Sequence, residues 1–293
     1  MIGQSGNSLR HIAFEGKPVI RLKPPRTGSG NASPVSCRIE RKAPEAFIAW
    51  VLESAGLPAA AYRAIPMHRR LTACLRTLKA GNVSEARDCL IVHPELRTAA
   101  IDSLMIGVTE FFRDPAVFDV LREIISSSLV NRPEPVRIWS AGCSNGAELY
   151  SLAILLGEAG LLHRSVLVGT DCRATAIREA QAGIFCEAGV KFMDASLRKK
   201  YFRNTGGRWR IIDSLSRLVQ WRVGNVLSGS ESGPWDIILW RNMAIYLEPK
   251  PVLQLWSDLI QEMRPGGLLV VGKAERPPAA SGLTCVSQCI YRL

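Results

Sequence analysis

Four short apolar runs, separated by stretches of helical periodicity, constrain this chain more than any other feature. Val136-Arg137-Ile138-Trp139, Val166-Leu167-Val168-Gly169-Thr170-Asp171, Trp235-Asp236-Ile237-Ile238-Leu239-Trp240 and Leu268-Leu269-Val270-Val271-Gly272 all have strand length. Helical stretches carry Leu152, Ile154, Leu155 and Leu156 after the first run and Ile177 and Ala180 after the second, and the amphipathic segment Val252 to Met263 precedes the last. Strands that are apolar throughout are buried on both faces, and crossover helices do the burying, so the pattern predicts an α/β fold with a mostly parallel sheet. Residues 196–226 break the pattern. Trp209, Ile211, Val219, Trp221 and Val223 alternate around Gly206-Gly207, which predicts a small antiparallel insertion.

Upstream of the first strand the chain changes character twice. Residues 1–42 are rich in Gly, Ser, Pro and Arg without sustained periodicity and read as a flexible basic tail: eight Lys or Arg residues, from Arg10 to Lys42, face only Glu15 and Glu40. From 43 to 108 the spacing of Phe47, Ile48, Val51 and Leu52, then of Leu71, Leu75 and Leu78, is helical, and Gly56, Pro58, Pro66, Gly81 and Pro94 cut it into several short helices. Asn82 or Ser84 is placed to cap one of them. A domain of 43–108 and a larger one of 109–293 follow.

Composition removes several function classes. No apolar run approaches the roughly 18 residues that span a bilayer, and the first residues lack the apolar core of a signal peptide, so a cytoplasmic protein without a transmembrane segment is expected. The eight cysteines include no CxxC pair, so no metal site or redox motif is indicated. The formal net charge is +11, much of it in the tail. A solvated tail accounts for that part and nucleic acid is not expected; the remaining excess favours an acidic macromolecular substrate.

The turn after the first strand is Ser140-Ala141-Gly142-Cys143-Ser144-Asn145-Gly146. A strand, a turn of small residues and a helix bring backbone N–H groups and a helix N-terminus close to a ligand, and a bulky side chain would block the approach. Asp171 ends the second strand, where nucleotide-binding α/β folds place an acid on a ribose diol; a helix N-cap is its alternative reading.

Together with these elements, Thr109-Glu110-Phe111-Phe112-Arg113-Asp114-Pro115, Arg241-Asn242-Met243-Ala244-Ile245-Tyr246 and Arg264-Pro265-Gly266-Gly267 resemble the ordered signature of the CheR-type chemotaxis-receptor methyltransferases, from about Ala43 to the C-terminus. The resemblance implies a Rossmann-like S-adenosylmethionine-dependent methyltransferase domain with a small β insertion, preceded by a small all-α domain. It implies methylation of glutamate carboxylates on a receptor or signalling protein, with S-adenosylhomocysteine as product. It places Thr109 and Arg113 at the methionine end of the cofactor, Ser140, Ala141 and Gly142 under it, Asp171 on its ribose and Asn225 and Val226 near its adenine. Arg241 and Asn242 complete the pocket, and Arg113 and Tyr246 face the substrate carboxylate as catalytic candidates.

The chain departs from the family at informative positions. The family turn continues with two glutamates, the first of which contacts the cofactor's amino group, and here that cofactor-binding position is Ala147. Glu148 is rotated from it by about 100° on a helix. Gly107 stands where asparagine is common, and Trp240 where cysteine is. A methyltransferase acting on another acceptor, and a non-catalytic cofactor-binding interaction module, therefore stand beside the carboxyl methyltransferase.

Overall fold

The computed structural model describes residues 34–293 apart from Ile106 and Val108, with side chains from residue 43 onward. Of the flexible tail expected over residues 1–42, residues 1–33 lie outside the described residues, and 34–42 are instead part of a helix. The helical region comprises α1 (Pro34–Glu53), α2 (Ala64–Thr77), α3 (Val83–Val92) and α4 (Arg97–Leu104). Helix α1 begins earlier than Ala43, because backbone hydrogen bonds can extend a helix beyond its apolar face. That face, Phe47, Ile48, Val51 and Leu52, packs into a core with Met67, Cys74, Ala86, Leu90, Ala100 and Leu104. Asn82 is the cap of α3: its Oδ1 accepts from Glu85 N (3.0 Å), and Glu85 accepts in return from Asn82 Nδ2 and Gly81 N.

The second region runs α5 (Pro115–Ile124), β1 (Val136–Ala141), α6 (Ala147–Glu158), β2 (Ser165–Asp171), α7 (Ala174–Ala182), β3 (Ile184–Cys186), α8 (Ala195–Tyr201), β4 (Phe202–Thr205), β5 (Arg208–Ile211), α9 (Asp213–Ser216), β6 (Val219–Val223), β7 (Trp235–Trp240), α10 (Pro249–Gln261), β8 (Met263–Val271), β9 (Thr284–Ser287) and β10 (Ile290–Arg292). The main sheet has the order β6-β2-β1-β7-β8-β10-β9, in which the first five strands are parallel and β10 is antiparallel to both neighbours. From β1 the chain winds outward through β2 to β6, then returns to lay β7 and β8 on the other side. The crevice between the carboxyl ends of β1 and β7 is therefore the topological switch point, where open α/β sheets bind ligands.

The β insertion differs from the expectation over 196–226. Its three strands are β3, β5 and β4, and Val219–Val223 is β6 of the main sheet, parallel to β2. Alternation identified a strand correctly but could not say which sheet it joins. As an edge strand, β6 is covered incompletely, and Gln220 and Val223 remain exposed, so it never reads as a continuous apolar run.

Burial is deepest around β1, β7 and α6. Trp139, Trp240 and Tyr150 are fully buried, and α6 is buried from Leu149 to Leu156. At the amino ends of the strands, buried Asp236 accepts from Arg132 Nη1 (2.7 Å) and Arg137 N (2.8 Å) and lies 3.2 Å from Arg264 Nε. Removing this carboxylate strands two guanidinium groups and a strand N–H. Asp236→Ala is expected to lose about 2–4 kcal/mol in chemical denaturation, whereas Glu134→Ala, which removes the exposed carboxylate paired with Arg132, should cost less than about 1 kcal/mol.

Candidate cofactor site

At the carboxyl end of β1 the chain folds back on β2: Gly142 N and Cys143 N both donate to Thr170 O, at 2.8 and 3.0 Å. Gly142 has φ of +78°, and a Cβ there would overlap Met243 Sδ. Only glycine meets both conditions. Ser144 N donates to Asp171 Oδ2 (2.9 Å), and Arg173 N and Nε donate to Asp171 Oδ1 (2.9 and 3.3 Å). The expected ribose acid is thus buried at the end of β2 and oriented by the very turn it faces.

Two aromatic anchors set the Thr109–Arg113 loop. Phe111 is edge-on to Phe185 (4.7 Å) and Phe202 (5.1 Å) of the insertion, and Phe112 to Phe118 of α5 (5.3 Å). Phe112 N donates to Ser151 Oγ (3.0 Å) on α6. With the phenyl rings turned inward, Thr109 and Arg113 are left on the cavity wall.

Arg241, at the end of β7, joins the loop to α6. Its side chain is only 2% exposed. Nη2 donates to Asp114 Oδ2 (2.6 Å) and Arg113 O (3.1 Å), and Nη1 to Glu148 Oε2 (3.0 Å). Glu148 also accepts from Ser140 Oγ (3.4 Å). Burial pushes the Glu148 carboxyl up, against the lowering pull of Arg241 and Ser140. For Asp114 the balance reverses: burial acts to raise it, but Lys273 Nζ at 2.6 Å and Arg241 together hold it below the usual carboxylate range. The loop that follows Arg241 has its own clasp. Glu275, 3% exposed, accepts from Asn242 N, Met243 N and Ala244 N, each at 2.8 Å, and from Gly272 N at 2.6 Å.

These elements enclose a cavity of 170 Å³ at the β1/β7 switch point. Nine of the twelve residues expected from the sequence line it: Thr109, Arg113, Gly142, Asp171, Asn225, Val226, Arg241, Asn242 and Tyr246. Ser140, Ala141 and Ala147 do not; they lie behind the wall at 0–2% exposure. The left-handed Gly146 starts α6 so that its first residue, Ala147, is buried and its second, Glu148, reaches the cavity. The carboxylate that α6 brings to this wall is thus Glu148, held by Arg241 and Ser140. The sequence reading also missed Tyr62 and Met67, which the helical region contributes, and Arg173 and Met243. Backbone bonds from Arg63 N to Tyr246 O (2.9 Å) and from Glu248 N to Ala61 O (2.8 Å) dock that region against the loop after β7. Glu275 was missed as well; its signal was a lone acid just past the carboxyl end of a strand.

Residues 107–289 match the family model described as CheR methyltransferase, SAM binding domain. The chain belongs to the CheR methyltransferase family. A chemotaxis protein methyltransferase of Vibrio anguillarum is 33% identical over 214 residues, covering 68% of this chain and 77% of the relative. Chemotaxis protein methyltransferase 2 of Pseudomonas aeruginosa is 33% identical over 245 residues, 80% of this chain and 87% of its own. A Listeria innocua chemotaxis protein methyltransferase is 27% identical over 249 residues, 84% and 95% respectively.

A CheR-family methyltransferase uses S-adenosylmethionine, and the cavity fits that group. Gly142 lines the cavity without a side chain, and Asp171, a carboxylate that accepts hydrogen bonds, ends the neighbouring strand. Burial raises the Cys172 thiol to about 12 and also raises the Tyr62 phenol, so neither wall residue supplies an anion at neutral pH. Among the described residues no group of three or more His, Cys, Asp or Glu is placed to hold a metal ion, and no helix is long and apolar enough to cross a membrane.

Two expectations test this framework. Glu275→Ala removes the acceptor of four backbone N–H groups and should cost at least about 3 kcal/mol in denaturant titration; it should also weaken S-adenosylhomocysteine binding measured by calorimetry. Lys273→Ala should cost less than about 1 kcal/mol, since the lysine is largely exposed. A depressed carboxylate pKa gives stability that is full above the unfolded value and lost as pH falls through the folded one. The difference between wild type and Lys273→Ala should therefore be present at pH 7 and close as acid protonates Asp114. A difference that persists or grows in acid would mean that Lys273 acts elsewhere.

Proposed function

We propose that this CheR-family enzyme transfers the methyl group of S-adenosylmethionine to glutamate side-chain carboxylates of a chemotaxis-type receptor or a similar signalling protein. The observation that carries this reading is the meeting, in one cavity, of three segments of the family signature: Thr109 to Arg113, the turn at Gly142, and Arg241 to Tyr246. Relatives over most of the chain are named chemotaxis protein methyltransferases, which supports the same acceptor.

The chemistry asks little of the protein beyond placement. When bound, S-adenosylmethionine supplies a methyl group already activated by its sulfonium. A glutamate carboxylate, with a reference pKa of about 4.3, is ionised at neutral pH and needs no general base. The protein's contribution is to align carboxylate oxygen, methyl carbon and sulfur, and to exclude water. In this reading Asp171 accepts from the ribose hydroxyls, Asn225 and Val226 flank the adenine, and Thr109 lies at the methionine end. Arg113 holds the acceptor carboxylate through charge-assisted hydrogen bonds and Tyr246 donates another. Too tight a grip would deactivate the nucleophile, so both are positioning contacts. Arg241, already committed to Asp114 and Glu148, positions the Arg113 loop and does not itself reach for substrate.

We further assign residues 43–108 and the β insertion as docking surfaces for the protein substrate. Tyr62 and Met67 bring the helical region to the cavity edge, and α2 carries His68, Arg69, Arg70 and Arg76, which suits an acidic segment.

Incubation with methyl-labelled cofactor and a receptor signalling domain should leave base-labile label on glutamate. Asp171→Ala should abolish both the label and the heat of S-adenosylhomocysteine binding. Base-stable label, or none from folded protein that binds S-adenosylhomocysteine, would overturn the glutamate assignment. Arg113→Ala should reduce turnover by about a hundredfold, with a smaller effect on S-adenosylhomocysteine affinity.

A further inference from the structure

The cation of Arg173, a wall residue, lies against Asp171, and its surroundings indicate a role. Its side chain is 12% exposed. Nε reaches Asp171 Oδ1 at 3.3 Å, and Nη2 donates to Ser144 Oγ at 3.1 Å, while the serine hydroxyl donates onward to Gly107 O at 2.7 Å. The guanidinium lies where a side chain on residue 107 would be: a Cβ built on Gly107 would overlap Nη1, Nη2 and Cζ of Arg173. The seat of Arg173 thus depends on the absence of a side chain two residues before Thr109.

Asp171 already carries three donors, Arg173 N and Nε on Oδ1 and Ser144 N on Oδ2. An ionised carboxylate offers about four acceptor sites. A ribose diol bound across both oxygens needs two of them, so one donor must leave. Two of the three are backbone N–H groups, fixed by the turn after β1 and by the start of α7. Only the Arg173 side chain is free to move without disturbing either element.

We propose that Arg173 is a latch on Asp171: its guanidinium competes with the ribose of the cofactor for the carboxylate, and Gly107 provides the latch with its seat. The inference rests on the cavity taking S-adenosylmethionine and not on the identity of the methyl acceptor. A latch closed for about nine-tenths of the time weakens apparent affinity about tenfold, because only the open fraction binds. Arg173 is in this sense a specificity-determining residue that sets how much cofactor the enzyme needs.

The test is calorimetric titration of S-adenosylhomocysteine, with no acceptor protein present, into wild type, Arg173→Ala, Gly107→Ala and the double variant. In Gly107→Ala the added methyl group takes the space of the guanidinium without deleting it. Each single variant should bind about three- to tenfold more tightly, and the double variant no more tightly than the better single, since both remove one latch. Adenosine should show the same gain and 2′,3′-dideoxyadenosine none. Weaker or unchanged binding in Gly107→Ala, additive gains in the double variant, or a gain retained by the dideoxy probe would overturn the proposal. If Arg173→Ala fails to fold, the Gly107→Ala and dideoxyadenosine comparisons decide alone. Failure of glutamate labelling would leave these binding results untouched.

Discussion

A buried arginine between two carboxylates organises this molecule. Arg241 follows the strand on one side of the switch point, Glu148 lies in the first turn of the helix on the other, and Asp114 closes the loop that carries Arg113. A guanidinium so enclosed is costly to desolvate and tolerable only because its partners are fixed. Each partner is fixed by a separate device. Glu148 is aimed by the left-handed Gly146 and held by Ser140, Asp114 is drawn by Lys273, and the backbone after Arg241 is clasped by Glu275. Three segments distant in sequence are thereby brought to one wall.

This arrangement suits a reaction whose barrier is mostly one of placement. The proposed transfer from a sulfonium to a carboxylate needs no proton shuttle, and burial keeps the Cys172 and Tyr62 side chains on the wall neutral. What the protein supplies is rigidity. Phe111 and Phe112 set the Thr109–Arg113 loop in aromatic clusters on two different neighbours, so Arg113 is carried on backbone that is pinned at both ends.

The sequence made the architecture legible because apolar strands and helical stretches differ in period, and that difference survives without any tertiary information. It misassigned Val219–Val223 because an edge strand of a parallel sheet and a strand of a small antiparallel sheet alternate in the same way. Of the expected residues that line the cavity, Asp171 was visible from its position at a strand end and Arg241 from the family signature. That Glu148 and not Ala147 lines the cavity was not legible, because the start of α6 follows a glycine at φ of +84° and no spacing rule records that angle. Tyr62 and Glu275 were invisible for another reason: Tyr62 reaches the cavity from a region far away in sequence, and Glu275 binds backbone N–H groups, which leave no residue signature.

The central claim is that the cavity at the β1/β7 switch point is where the cofactor binds. Hydrogen–deuterium exchange with and without S-adenosylhomocysteine tests it without any substitution. The account requires protection to appear at the wall segments around Gly142–Ser144, Asp171–Arg173, Gly224–Val226 and Arg241–Tyr246, with the strands β4 and β5 of the insertion unchanged. Protection centred on the insertion, or saturating ligand that leaves the Gly142 and Asp171 segments unaltered, would contradict it.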